Sequence, residues 1–229
     1  MSDNFKNSIM DCIERIAEIG YLFQAGTTSS LQASSDFKYK SRKAIYYREV
    51  YEAGTANQDF NLMLKDLSYF QFTENEEGEN IRLAFYPNPF QFIEYQNQKK
   101  EALELFNENG LTENEYEQIL SEGDFISDIP LIRYDLSVKQ HCDNYHPAAH
   151  FHIGFNPNNR WPVGKILTPY AFMLKIIMLY YPDLWFKYGD QGEGNQNNLD
   201  IIYRDELKKC ALVPDEYFKE FEKERLIFM

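Results

Sequence analysis

Between Phe60 and Tyr86 the chain reads as three short apolar segments, Phe60 to Met63, Tyr69 to Thr73 and Ile81 to Tyr86. The connectors, Asp66-Leu67-Ser68 and Glu76-Glu77-Gly78-Glu79, are turn-like and too short for a crossover. Strands joined this way pair antiparallel, because a parallel pair needs a connection of a dozen residues or more. Pro87 and Pro89 end the third segment. Two more strands are expected over Ile129 to Leu136 and Ala149 to Phe155.

Helical spacing brackets this run. Phe5, Ile9, Cys12, Ile13, Ile16, Ile19, Leu22 and Phe23 keep three-and-four spacing, which predicts a helix over 5–25 with Gly26 as its C-cap. Helical periodicity returns over 91–108, before Gly110, and Thr112-Glu113-Asn114-Glu115 matches a capping box. Thr168 as N-cap and Pro169 at the first helical position open an apolar helix through about Tyr181, limited by Pro182. Two amphipathic helices are expected near 202–210 and 214–225, after a polar Gly/Asn-rich loop over 189–198. The expectation is a single α+β domain over 1–229, with a mainly antiparallel sheet of about five strands flanked by helices. With 18 Phe and 17 Tyr in 229 residues, large aromatic side chains should fill the core.

Charge narrows the classes of partner. The net charge is −13, from 36 acidic and 23 basic residues. That argues against broad DNA binding, which needs many cations to neutralise phosphates. The run 111–128 carries Glu113, Glu115, Glu117, Glu122, Asp124 and Asp128 without Lys or Arg, and reads as a solvated face or a partner surface. Residues 37–50 are the opposite: Lys38, Lys40, Arg42, Lys43 and Arg48 alternate with Tyr39, Tyr46 and Tyr47. A strand with snorkelling cations is the favoured reading there, against a surface that contacts single-stranded nucleic acid.

Cys12, Cys142 and Cys210 are odd in number and far apart, so they form neither a CxxC pair nor a disulfide framework. Cys12 and Cys210 read as small core residues. The N-terminus lacks a basic region followed by an apolar one, and no uninterrupted apolar run is long enough to span a bilayer. A cytoplasmic protein without membrane attachment is expected.

All four histidines fall between 141 and 152, as His141, His146, His150 and His152. Just upstream lies Arg133-Tyr134-Asp135. Alternation puts Leu131, Arg133 and Asp135 on one face of the first strand, and His150, His152 and Gly154 on one face of the second. If the two strands pair, Arg133 and Asp135 lie beside His150 and His152.

Three readings follow. In the first, the cluster cleaves an RNA phosphodiester without a cofactor: two histidines exchange protons, Arg133 stabilises negative charge and Asp135 orients an imidazole. His146 is a further catalytic candidate. Arg160, Lys165 and Tyr145 are candidate substrate contacts, and an anion held by Arg160 and Lys165 would also meet the N-terminus of the Thr168 helix. In the second, His150, His152 and Asp135 ligate a divalent metal for assisted hydrolysis. In the third, the residues form a satisfied polar network in a binding or structural protein. Cys142, inside the cluster, is a minor nucleophile candidate.

The segments Arg82-Leu83-Ala84-Phe85-Tyr86-Pro87, Arg133-Tyr134-Asp135, His146 to Gly154, Arg160-Trp161-Pro162 and Thr168 to Phe172 resemble domain-of-unknown-function family 2290, over most of the chain. That resemblance implies fold membership and no settled activity. Arg-Tyr-Asp followed by His-Pro and an H-x-H strand is also similar to the core motif of TumE-type toxins. This shorter likeness implies an RNA-directed, toxin-like or phage-defence effector of bacteria, with Arg133, Asp135, His150 and His152 at its site. Leu136 stands where that motif usually has Asn, and Ile153-Gly154 where it has a basic residue. A protein partner, such as an antitoxin or a defence subunit, belongs to the non-enzymatic alternative.

Overall fold

The computed structural model describes all residues except 1, 76–77, 91, 123–128, 156–157, 190–197 and 227–229, and no side chains at 92–97, 121–122 or 225–226. Asp124 and Asp128 of the acidic run, most of the Gly/Asn-rich loop and the last three residues therefore lie outside the described residues.

The fold is α+β, built on one antiparallel sheet whose strands follow chain order. They are β1 (Leu22–Ala25), β2 (Leu62–Leu64), β3 (Tyr69–Glu74), β4 (Asn80–Tyr86), β5 (Ile132–Ser137), β6 (Ala149–Ile153) and β7 (Trp161–Pro162). The sheet has seven strands rather than about five, because β1 and β7 extend it at either edge.

Alternation along the strands separates two cores. Leu62, Leu64, Phe70, Phe72, Leu83, Phe85, Tyr134 and Leu136 point to one face, under α1 (Asp3–Glu18) and α6 (Pro169–Tyr180). Phe172 of α6 stacks over Phe151 and meets Phe70 and Phe72 edge-on. Burying such a ring contributes about 1.5–3 kcal/mol. Met63, Tyr69, Ala84 and Tyr86 point to the opposite face, under α2 (Ser35–Lys43) and α3 (Tyr47–Ala56). Cys12 and Cys210 are buried on the first face, as expected.

Two expectations are corrected. The first helix ends at Glu18 rather than continuing to 25. Gly20 sits at φ 70, the Tyr21 N–H donates to Ile16 O at 2.9 Å and the Gly20 N–H to Ala17 O at 2.9 Å. These two bonds form a Schellman stop. The freed Leu22–Ala25 then pairs with β2, and Gly26 is not a cap but lies against the Phe60 carbonyl, 2.1 Å from where a Cβ would stand.

Residues 37–50 form helices, not a strand. Ser34 caps α2 by accepting from the Phe37 N–H and is itself held by Asp59. Phe37 is buried at the foot of that helix, and Glu49 accepts from the Ile45 and Tyr46 N–H groups to start α3.

The remaining helices follow the pattern: α4 (Phe92–Asn107), α5 (Glu113–Glu122) behind the Thr112–Glu115 capping box, and α8 (Leu199–Lys209). Pro182 ends α6 and opens α7 (Pro182–Gly189). The last helix, α9, is confined to Glu220–Leu226 rather than starting near 214. Among the described residues no helix is long and apolar enough to cross a membrane.

Candidate functional site

β5 and β6 pair as the alternation requires, with Asp135 opposite His150 and Arg133 opposite His152. Ile132, Tyr134 and Leu136 are buried on the α1–α6 face, so the polar side chains must emerge on the face that carries α2 and α3. The connection between the strands is a short 3-10 turn, Val138–Gln140, and a tight loop closed by the Cys142–His146 bridge. Asn144 takes the left-handed conformation at its tip, φ 68, which Asn tolerates better than most residues. Asp143 fastens this loop to the C-terminal region through Lys219, and His141 lies edge-on to Tyr217.

Asp135 is the centre of the site. Its Oδ1 accepts from Arg82 Nε and its Oδ2 from Arg133 Nε, both at 2.8 Å. His152 Nε2 lies 3.4 Å from the same Oδ2. Burial alone would raise the Asp135 carboxyl, but the His152 hydrogen bond and the Arg82 and Arg133 guanidiniums outweigh it. Together they hold the group well below the usual carboxylate range.

The imidazoles form a chain. His150 Nε2 is 3.0 Å from His152 Nε2, and His150 Nδ1 is 2.9 Å from Pro147 O. A carbonyl only accepts, so His150 carries its proton on Nδ1 and turns a lone pair toward His152. Burial, then the neighbouring His152, pushes His150 down to about 4, so it is neutral at physiological pH. His146 stands edge-on to His150 with ring centres 4.9 Å apart. Burial and then Arg160 lower its pKa. The Nε of Arg160 and Nδ1 of His152 are buried without hydrogen-bond partners among the described residues.

Asp135, His150 and His152 each offer a donor atom within 4.8 Å of the others. The arrangement can therefore hold a cation at one focus or, without one, let the ionised Asp135 orient His152 against the His150 lone pair. His152 also reaches a cleft of ≈ 190 Å³ between the sheet and the α2–α3 pair, lined further by Arg42, Val50, Tyr86, Arg133 and Phe155.

The structure thus brings Arg133, Asp135, His146, His150 and His152 together, with Arg160 beside His146. It does not bring in Tyr145, which is 81% exposed on the hairpin. Lys165 is also elsewhere: its Nζ donates to Leu207 O and Cys210 O, at the end of α8. Thr168 caps α6 there and bonds Glu206, so Arg160 and Lys165 do not frame a shared anion site at that helix. Cys142 is exposed, and its Sγ lies 3.9 Å from Asp143 O. Two residues enter without having been singled out for the site. Arg82 faces Asp135 because β4 pairs with β5, and Arg42 faces the cleft because its segment is helical.

A family model described as "Uncharacterized conserved protein (DUF2290)" matches residues 23–228. No curated protein and no solved structure matches the chain.

Proposed function

The chain belongs to the DUF2290 family, and we propose that this member is a metal-assisted hydrolase of phosphoesters. Asp135, His150 and His152 are its ligands, and Arg133 is the group that meets the substrate's negative charge. The observation that carries this reading is the single focus of the three donor atoms, with contacts of 3.0 and 3.4 Å. Acid–base cleavage across a phosphate needs its two imidazoles on opposite sides of the reacting group. Two imidazoles in contact leave no room between them. Two ligands of one tetrahedral ion, at Zn–N distances near 2.0–2.1 Å, stand roughly 3.3 Å apart, close to the spacing here.

The outer contacts fit the same reading. His150 donates its other ring N–H to Pro147 O, and Asp135 accepts from Arg82 and Arg133. Ligating imidazoles and carboxylates are usually fixed in this way. Two His and one Asp leave an open coordination position and a net positive charge when a divalent ion is bound. Such an ion supplies Lewis-acid polarisation of a phosphoryl oxygen. Arg133, half-buried at the cleft, then orients the anion.

One observation favours a second reading. His152 Nδ1 lacks an outer partner, while its Nε2 already lies between Asp135 and His150. In that reading the cluster is metal-free, Asp135 orients His152, and the RNA chemistry implied by the toxin-like motif applies.

Metal content of purified protein separates the two. Roughly one transition-metal ion per chain is expected, lost in a folded His150→Ala/His152→Ala double variant. Hydrolysis of bis-p-nitrophenyl phosphate should stop with a chelator and return with zinc or manganese. Metal-free protein that cleaves RNA in the presence of chelator would establish the second reading instead.

A further inference from the structure

The segment from Lys38 to Arg48 concentrates a charge that the rest of the chain lacks. It holds Lys38, Lys40, Arg42, Lys43 and Arg48 in a chain of net charge −13; Lys40 and Arg48 pair with Glu49 and Glu52 of α3, and the other three have no such partner among the described residues. The positive patch forms on folding: Ser34 and Phe37 anchor α2, and the cations then project from the helix and the α2–α3 corner. Arg42 and Lys43 are exposed, and no ion pair fixes either of them among the described residues. Beside them, Tyr39 and Tyr46 are 63% and 65% exposed. Large rings left in water beside flexible cations are the parts from which single-stranded nucleic acids are held: charge tracks the backbone and rings stack on bases.

The patch leads to the candidate site. Arg42 of α2 and Arg133 of β5 line the same cleft, together with His152. Tyr86, Val50 and Phe155 add an apolar and aromatic lining to the cleft. Apolar and aromatic surface beside two guanidiniums suits a unit that carries a flat base and a phosphate.

We infer that α2 and the α2–α3 corner form a binding surface for single-stranded nucleic acid, which delivers a phosphodiester to Arg133 and His152 through the cleft. The inference rests on the reading of this site as a phosphoester hydrolase and names its substrate class. Tyr39 and Tyr46 stack bases outside the cleft, Lys38 and Lys43 follow the backbone, and Arg42 receives the phosphate nearest the site. The local patch is compatible with an acidic protein, because the acidity elsewhere discourages general adsorption to duplex DNA.

The test is fluorescence anisotropy with a labelled oligouridylate of about ten residues, on chelated full-length protein so that no cleavage intervenes. Saturable binding is expected. It should weaken at least tenfold in an Arg42→Ala/Lys43→Ala variant and in Tyr39→Ala, all at exposed positions where folding is preserved. The slope of log affinity against log salt should fall by about 1.4 in the double variant, about 0.7 for each phosphate contact removed. An oligodeoxyuridylate of equal length separates the sugar: preference for RNA assigns recognition of the ribose, and equal affinity leaves the single strand as the ligand. Absence of binding, unchanged affinity in both variants, or equal affinity for heparin or a duplex overturns the inference. Metal-loaded protein that ignores the oligonucleotide refutes this surface and leaves the hydrolase. Oligonucleotide binding by a protein that retains no metal supports the surface and refutes the metal site.

Discussion

His150 Nε2 lies 3.0 Å from His152 Nε2 on one face of β6, and this contact gives the protein an acid-sensitive element. Burial and His152 push His150 down to about 4, against roughly 6.5 for an unfolded imidazole. Between those values the unfolded chain binds more protons, so stability rises with pH. The contribution is complete above pH ~6.5 and is lost as pH falls toward about 4. His146 is shifted the same way and adds to the slope. Asp135 is held below the carboxylate range, so its own loss falls at lower pH. In urea titrations of chelated protein, His150→Gln should flatten the dependence between pH 6.5 and 4 without abolishing it. A profile identical to the wild type would mean that burial and the His152 contact do not hold His150 neutral.

Asp135 and its exposed partner Arg82 should differ in weight. Arg82 is 59% exposed, whereas Arg133 is 27% exposed and Asp135 14%. An exposed ion pair contributes about 0–1 kcal/mol, while removing one partner of a buried pair leaves an uncompensated charge and costs about 3–5 kcal/mol. Arg82→Ala should therefore lower stability by less than about 1 kcal/mol. Asp135→Ala strands Arg133 and removes the partner of His152, and should cost on the order of 2–4 kcal/mol at this partial burial. Equal urea midpoints for the two variants would refute the asymmetry.

How much of this could be read beforehand depends on the range of the interaction. The polar faces of β5 and β6 were legible because alternation is local: Ile132, Tyr134 and Leu136 are apolar, and Arg133 and Asp135 are not. Their meeting required only that a short hairpin close, as it does. Arg82 was not legible as a site residue, since its place opposite Asp135 follows from a pairing across more than 50 residues. Arg42 was hidden by an ambiguous period. Lys38, Lys40 and Arg42 alternate like a strand, yet Phe37, Ser41 and Ala44 share a helical face. For β1, Leu22 and Phe23 continue the spacing of α1, and only the turn at Gly20 ends the helix. A single backbone conformation there outweighs two apolar residues.

Thr168 links α6 to α8 as well as capping α6. Its Oγ accepts from the Ala171 N–H at 3.1 Å and donates to Glu206 Oε1 at 2.8 Å. Loss of an N-cap costs about 0.5–2 kcal/mol. Thr168→Ala also leaves the buried Glu206 with one contact fewer, so the upper end of that range is expected. Thr168→Ser keeps both bonds and should recover most of the loss, as thermal unfolding would record. Equal destabilisation by the two variants would assign the effect to the methyl group and not to the cap.

Gly54 sets how closely α3 approaches the sheet. A Cβ there would stand 2.0 Å from the Tyr69 hydroxyl oxygen and 2.6 Å from its Cζ. Tyr69 cannot give way: it is fully buried, stacked 4.9 Å from Tyr86 and packed against Tyr51. Gly54→Ala must instead displace α3, at a cost of about 1–3 kcal/mol for an overpacked core. That corresponds to a fall in Tm of roughly 2–12 °C for a chain of this size. The displacement carries α2 with it, because α2 and α3 are joined by a three-residue corner and share Phe37 and Val50 in one core. Arg42 then moves away from Arg133 while Asp135, His150 and His152, held on β5 and β6, stay in register. Gly54→Ala should therefore lose oligonucleotide affinity yet keep its metal content, measured on the same preparation. Parallel loss of both would mean that the α2–α3 layer supports the ligand cluster itself.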